Sequence, residues 1–221
     1  MAVTIFNPDA NPETTSVDGT VDRGGVNETF GTIRGGAGTS SSDTVGSGSG
    51  VPRLSATTTT DQYSLLTRGI YLFDTSSLGA GAIISAATFS LYIDGASNAF
   101  SAALNVTSSA PASNTALVSG DYAVAGFGGT DFATDITIAS LTINQYTDWT
   151  LNATGIAAIS LTGITKFACR FTHDIDNTAP TWSSGADAFI TPHFADGTNK
   201  PKLTVTYTPL AGGEISYAYF M

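Results

Sequence analysis

The sequence predicts an all-β protein, and two observations carry that prediction. Only 12% of its 221 residues are charged and 24 are glycine, while Thr, Ser and Ala recur where a helical protein would show Glu, Lys and Leu at helical spacing. The second observation is the run from Arg68 to Ile93, in which a loop of small and polar residues separates two apolar segments. The length suits one large β-domain, so we predict a single domain with extensions at both termini.

The run from Arg68 to Ile93 is predicted to form the centre of the core. Its first segment, Ile70–Phe73, is apolar at every position, which predicts a central strand covered on both faces. Its second segment, Ala87–Ile93, has apolar residues at the odd positions only, which predicts a strand with one face in the core. Between them, Asp74–Ser76 supplies side-chain oxygens that favour a turn.

Before this centre the sequence predicts short strands and loops. Ala2–Phe6 is β-prone and is followed by two prolines in Asn7–Pro12, so it is predicted to be an edge strand. Val17–Val21 and Thr29–Ile33 predict a hairpin that reverses at a pair of glycines. Two further predictions are a long surface loop over Gly35–Gly50 and an exposed strand over Leu54–Tyr63, which contains four consecutive threonines.

After the centre the sequence predicts a mixture of strands and irregular chain. Ala116–Ile143 shows neither the helical nor the strand period, which predicts a long irregular crossover. Asn152 is a suitable N-cap for the one short helix that we predict. The remaining predicted strands are Ser101–Thr107, Tyr146–Leu151, Lys166–Thr172, Ala188–Phe194 and Pro201–Thr208.

Charge and hydropathy exclude several classes of partner. The net charge is −10 with Lys and Arg scattered, so nucleic acid is not an expected partner. No segment approaches the ~20 apolar residues that span a bilayer, so no membrane partner is expected. The opening residues lack the basic and apolar regions of a signal peptide, which predicts synthesis without secretion. Cys169 is the single cysteine and, among apolar neighbours, is predicted to be a buried thiol.

No catalytic constellation can be assembled from the sequence, so we predict that the protein is not an enzyme. His173 and His193 are the only histidines and their spacing matches no metal motif. The one cofactor that the sequence suggests is Ca²⁺: Asp174 and Asp176 alternate and could point two carboxylates at one ion, with Asp187 completing an oxygen shell. The alternative for these residues is turn formation.

Aromatic residues are the remaining binding candidates. Trp149 alternates with apolar residues and is predicted to lie in the core, whereas Trp182 lies in a polar loop after a proline. An exposed indole can stack on a sugar ring, so Trp182 with Tyr63, Tyr92 or Tyr122 could form a glycan-binding platform. The alternative is that Trp182 packs beneath its own loop.

Three segments resemble a known family. RGIYLFDTSSLGAGAIISAATFSLYI (68–93), GITKFACRF (163–171) and KPKLTVTYT (200–208) together resemble the DNRLRE-type β-sandwich domain over residues 20–208. The opening TIFNPDANPETTSVDG and the phrase SSAPASNTALVSGDY resemble the stand-alone form found among phage virion proteins. The resemblance implies an antiparallel jelly-roll-like β-sandwich, similar to carbohydrate-binding modules, over 20–208, with an N-terminal arm or edge strand over 1–19 and a strand-like extension over 209–221.

The resemblance implies a structural protein of a tailed-phage virion, exposed on the particle as a capsid decoration or a head or tail fibre. Such a protein would be made in the host cytoplasm and would have other virion proteins and its own copies as partners. Assembly is expected through the arm Met1–Asn11 and the tail Gly213–Met221, because an apolar terminal strand needs a partner; the alternative is that the tail returns to its own sheet. The predicted assembly residues of the tail are Ile215, Tyr217, Tyr219 and Met221 on one face and Phe220 on the other. The alternative function is a carbohydrate-binding module that recognises a host or environmental glycan.

Overall fold

A computed structural model describes residues 1–44, 46 and 50–210 of the chain. The strands, in chain order, are β1 (Ala2–Phe6), β2 (Asp18–Glu28), β3 (Ser40–Ser42), β4 (Arg53–Ala56), β5 (Tyr63–Asp74), β6 (Ile83–Asn98), β7 (Ala103–Ser108), β8 (Ile136–Thr137), β9 (Gln145–Thr150), β10 (Ile164–Phe171), β11 (Asp187–Pro192) and β12 (Lys202–Thr208). The α-helices are α1 (Phe30–Gly35), α2 (Ala153–Ala157) and α3 (Thr172–Ile175). Short 3₁₀ turns lie at Ser76–Leu78, Ser119–Tyr122, Val124–Gly126 and Ile138–Ser140. Among the described residues, no helix is long and apolar enough to cross a membrane.

The strands form one antiparallel hydrogen-bonded path, β1-β12-β6-β11-β4-β5-β10-β7-β8, with β2 added to β5, β3 to β2 and β9 to β6. The two longest strands, β5 and β6, each lie at the centre of one half of this path, and the pairing of β4 with β11 joins the halves. The halves pack face to face, because the ring of Phe89 on β6 lies 6.0 Å from that of Phe73 on β5 and 6.3 Å from that of Phe167 on β10. The predicted all-β antiparallel sandwich is confirmed; the jelly-roll connectivity stays a prediction.

The predicted centre of the core is confirmed. Ile70–Phe73 are all fully buried, and the odd-numbered residues of Ala87–Ile93 are at most 2% exposed. In the turn after β5, the Asp74 carboxylate accepts the Ser76 N–H at 3.0 Å, and the Thr75 hydroxyl donates to the Ser160 carbonyl at 2.7 Å. The thiol of Cys169 and the indole of Trp149 are buried as predicted.

One predicted strand before the centre, and the hairpin to which it belonged, are wrong. Thr29–Ile33 forms most of α1, because Thr29 is an N-cap whose hydroxyl accepts the Thr32 N–H and the helix buries Phe30 and Ile33. The predicted hairpin is instead the single strand β2, which follows β5 and shifts register between Gly24 and Glu28. Gly25 has φ of +70°, a conformation that glycine adopts without strain, so the glycine pair marks a bulge rather than a reversal.

The run of threonines is also not a strand. β4 ends at Ala56, and Thr57–Thr60 lie in the turn that leads into β5. The Thr57 hydroxyl bonds the Asn27 side chain and accepts the Thr59 N–H, so a local side-chain bond replaces strand pairing. By contrast, the predicted helix after Asn152 is confirmed as α2, with the Asn152 side chain accepting the N–H groups of Thr154 and Gly155 at 2.9 and 3.0 Å.

The two ends of the described chain lie beside each other. β1 pairs along its length with β12, with Ala2 opposite Tyr207 and Phe6 opposite Leu203, and it forms the end of the strand path. The segment is therefore a strand as predicted, and it lies at an edge of the sheet among the described residues. The predicted assembly tail Gly213–Met221, with all of its assembly residues, lies outside the described residues.

Candidate functional sites

β1 is an open edge of the sheet. It bonds β12 on one side, and on its other side no strand lies among the described residues. In an antiparallel edge strand, alternate residues direct their N–H and C=O groups away from the neighbouring strand. Val3 and Ile5 are 64% and 56% exposed, whereas Phe6 is 8% exposed. Within the part of the chain that the structure describes, β1 therefore presents unpaired backbone groups together with exposed apolar side chains.

The apolar side chains beside this edge form a surface that we call the β1 patch, consisting of Met1, Val3, Ile5 and Ile83. These are four of the seven large apolar residues that are exposed among the described residues. The register places them on the outer face, since Val3 lies opposite Thr206 and Ile83 lies opposite Thr208. The Met1 sulfur lies 3.9 Å from the Ser85 hydroxyl near the start of β6. The patch therefore continues from β1 across to β6.

The other free edges differ from β1 in length or charge. β3 has three residues, all serine, and β8 has two residues. β9 has six residues but carries the exposed Asp148, a charge of the kind that protects edge strands from pairing. β1 has five residues and none of them is charged. Among these four edges, β1 is the one that combines useful length with the absence of protection.

A second candidate site is the cleft beside Trp182, which we call the Trp182 cleft. Its volume is about 400 Å³, and its lining includes Phe100, His173, Pro180 and Trp182. Trp182 is half-buried and donates its indole N–H to the Gln62 carbonyl at 3.2 Å, which fixes the ring. The volume lies in the usual range of small-molecule sites, about 300–1,000 Å³.

The predicted tyrosine partners of Trp182 do not line this cleft. Tyr63 is 2% exposed and lies beneath the loop, where its hydroxyl donates to the Pro180 carbonyl at 3.1 Å. Tyr122 is fully buried and donates to the Ile33 carbonyl at 2.6 Å. Tyr92 packs against the rings of Tyr146 and His193, at centroid distances of 5.4 and 4.7 Å. Because a buried ring cannot stack on a sugar, Tyr63 and Tyr122 are not platform residues.

Asp174 lies in a buried group of charges that we call the Arg68 cluster, consisting of Arg34, Arg68, Arg170 and Asp174. Arg68 donates to both carboxylate oxygens of Asp174, at 2.7 and 2.8 Å, and Arg170 donates to one of them at 2.8 Å. Arg34 Nε lies 3.3 Å from the carboxylate and donates to the Asp174 backbone carbonyl at 2.7 Å. Both Arg68 and Arg170 are almost fully buried.

The remaining donors of the cluster find partners in the surrounding backbone and aromatic rings. Arg68 donates to the carbonyl groups of Tyr122 and Arg34, and Arg170 donates to that of Gly128 at 3.0 Å. The Arg68 guanidinium lies 4.2 Å from the centre of the Tyr122 ring. Burial raises the pKa of Asp174, but the hydrogen bonds and charges of Arg68 and Arg170 outweigh burial and hold the pKa well below its usual value. Asp174 is therefore a carboxylate at neutral pH.

This arrangement does not bring the three carboxylates of the predicted Ca²⁺ site together. Asp174 is occupied by guanidinium groups, and Asp187 binds Arg53 at 2.7 Å and the Ser55 hydroxyl at 2.7 Å. Asp176 is exposed just after α3. The prediction assumed that Asp174 and Asp176 lie on one face of an extended strand. Residues 172–175 are instead helical, and residues two apart on a helix do not face each other. No group of three metal-ligating side chains occurs among the described residues.

The Arg68 cluster was not predicted from the sequence, although the positions of two of its arginines indicated it. Arg68 and Arg170 each stand inside apolar strands, and a charge at such a position needs an opposite charge or strong hydrogen bonds. That rule could have predicted a buried acidic partner for the two arginines. It could not have chosen Asp174 among the acidic residues, because their pairing depends on the fold.

Asp18 is a second buried carboxylate with a different environment. It is 2% exposed and accepts the Ala195 N–H at 3.0 Å. Burial raises the pKa of Asp18 well above its usual value; the bond from Ala195 acts in the opposite direction, and the charges of Asp196 and Glu13 add to the rise. Asp18 therefore favours the protonated form in the folded protein.

The chain was compared with known proteins. No family model matches it, and no curated protein matches it.

Proposed function

We propose that the protein is a non-enzymatic structural component of a tailed-phage virion, exposed on the particle as a capsid decoration or a head or tail fibre. The observation that carries the proposal is the uncharged β1 edge with Val3 and Ile5 exposed beside it. An open edge of this kind adds a strand from another chain, and natural monomers usually protect against such pairing. Assembly through this edge would explain why β1 carries no charged residue to block pairing.

The virion setting is supported by the resemblance over residues 20–208 and by the phage-like opening segment. The partners are other virion proteins and further copies of this chain. In this proposal the tail Gly213–Met221, whose sequence is apolar and strand-like, is a second assembly segment.

The first test replaces both exposed residues of the edge, Val3→Lys and Ile5→Lys. We expect the variant to fold and to be lost from purified particles, because lysines on an edge strand block pairing with another chain. The measurement is the fraction of the protein that co-sediments with particles in a gradient. Val118→Lys is the matched control, since Val118 is 52% exposed and lies away from the edge. Equal recovery of all three proteins would contradict assembly through β1.

The second test removes Gly213–Met221. We expect this deletion to abolish particle binding as well, because the proposal gives the tail its own strand contact. A truncated chain that still binds particles would restrict assembly to β1 and remove the tail from the proposal.

The Trp182 cleft favours a second candidate function, a carbohydrate-binding module for a host or environmental glycan. The fixed indole, together with Phe100 and His173, lines a cleft of suitable volume. A glycan array with the isolated protein tests this candidate, and Trp182→Ala should abolish any binding. Tyr92→Ala is the control, because Tyr92 is a half-buried aromatic residue that does not line the cleft. Loss of binding in both variants, or in neither, would exclude the cleft as the site.

A further inference from the structure

We infer that two copies of the chain form a two-fold symmetric dimer in which β1 pairs antiparallel with β1 of the second copy, with Val3 opposite Ile5 of the partner subunit. The inference rests on the proposed function, because it names the partner of the same edge. Three features of the molecule support it: the register of β1, the charge of the surface around β1 and the sizes of the side chains on its two faces.

The register follows from the alternation of exposed and buried residues in β1. Val3 and Ile5 lie on the outer face and Ala2, Thr4 and Phe6 on the inner face, because side chains alternate along a strand. A two-fold axis perpendicular to the sheet, midway between the two Thr4 residues, keeps both outer faces on the same side. This axis places each Val3 beside an Ile5 of the partner subunit. If the register shifted by one residue, the outer face of one β1 would continue into the inner face of the other.

The inner face is also self-complementary in this register. The large ring of Phe6 comes opposite the small Ala2 of the partner subunit, and Thr4 meets its own copy on the axis. Large and small residues thus alternate across the junction, as in well-packed sheets. The resulting sheet continues from β6 and β12 through both copies of β1, so each subunit contributes the same surface, as a two-fold interface requires.

Charge explains why a second copy is favoured at this place. The chain carries a net charge of −10, so two copies repel each other over most of their surfaces. β1, β12 and the part of β6 that pairs with β12, Ile83–Ser90, together contain one lysine and no acidic residue; Asp94 lies further along β6. Two copies that meet at β1 therefore bring together a part of the sheet that has no acidic residue.

The first test uses the symmetry of the register. Thr4→Cys places two cysteines opposite each other on the axis, where paired Cα atoms lie about 4.5–5.5 Å apart, within reach of a disulfide. Ala2→Cys is the matched control, because two copies of residue 2 would lie about 13 Å apart, four residues along the strand. The native Cys169 is fully buried and does not compete. Under mild oxidation we expect a covalent dimer from Thr4→Cys alone; a dimer from Ala2→Cys, or from neither variant, overturns the register.

The second test measures association of the full chain by sedimentation equilibrium. We expect a concentration-dependent dimer whose dissociation constant rises at least about tenfold in the Val3→Lys, Ile5→Lys variant and is unchanged in Val118→Lys. A parent chain that stays monomeric at high concentration, or a dimer that the lysines do not weaken, overturns the inference. A dimer that forms only after Gly213–Met221 is removed would show that the chain's own tail occupies the edge, which also overturns it.

The two proposals fail in different ways. A monomeric chain that still needs Val3 and Ile5 to bind particles would overturn the dimer and leave assembly through β1 in place. A disulfide-linked dimer of Thr4→Cys that does not associate with particles would support the pairing and contradict the virion function.

Discussion

The Arg68 cluster and the β1 edge treat their polar groups in opposite ways. In the cluster, Asp174 and the two buried arginines, Arg68 and Arg170, bond one another and nearby carbonyl groups inside the protein. At the edge, backbone groups of β1 point away from β12 and meet no other strand among the described residues. The hydrogen bonds of the Arg68 cluster stabilise the fold, whereas the backbone groups of β1 are available to bind a partner.

The same contrast separates the charges of the two regions. The cluster gathers three of the chain's eight basic residues around one carboxylate. β1 carries no charge at all. Arg68 and Arg170 are buried beside Asp174, out of reach of solvent. They are therefore not available to bind an anion from outside the protein.

Asp174→Asn should strongly destabilise the protein. The change keeps the shape of the side chain but leaves the guanidinium groups of Arg68 and Arg170 buried without an opposite charge, and breaking a buried pair in this way costs about 3–5 kcal/mol. Urea unfolding followed by far-UV circular dichroism measures the loss. Asp176→Asn is the matched control, because Asp176 is exposed two residues later and its change should stay within about 0.5 kcal/mol. Similar midpoints for both variants would remove the distinction between the cluster and an ordinary surface.

The two buried carboxylates should give opposite pH dependences. Because the pKa of Asp174 is lowered in the folded state, its contribution to stability is complete above the unfolded pKa of about 4 and is lost as the pH falls toward the folded value. Because the pKa of Asp18 is raised, the folded state favours its protonated form, and stability falls as the pH rises above about 4.

Asp18→Asn should therefore stabilise the protein at pH 7, by an amount on the order of 1 kcal/mol, because the neutral amide removes the free-energy cost of protonating or burying the carboxylate on folding. Its side-chain oxygen can still accept the Ala195 N–H. The gain should shrink below about pH 4, where Asp18 is protonated in both states. Thermal unfolding at pH 7 and pH 3.5 measures the difference. An equal gain at both values would mean that packing, and not charge, is responsible.

The sequence predicted the elements whose pattern reflects burial directly. Ile70–Phe73 and Ala87–Ile93 were assigned correctly, because their apolar periods match the faces that the core covers. Thr29–Ile33 was wrong because a capping hydroxyl outweighed β-branched composition. The Trp182 cleft was predicted only through its tryptophan, since Phe100 comes from a segment far away in the chain. The Arg68 cluster and the apolar continuity from β1 to Ile83 depend on strand order, which local patterns do not specify.

The smallest effect on stability is expected from Val3→Lys with Ile5→Lys. Both side chains are more than half exposed, so the free energy of unfolding of the monomer should change by no more than about 0.5 kcal/mol. Phe6→Ala, the next residue on the opposite face, should cost about 3 kcal/mol because its ring is buried. Urea unfolding at low protein concentration measures both. If the lysine pair destabilised the monomer as much as Phe6→Ala does, the outer face of β1 would already be packed against other residues of the same chain. The loss of the lysine variant from particles would then reflect unfolding. A stable monomer that no longer associates would instead separate assembly from folding within a single strand.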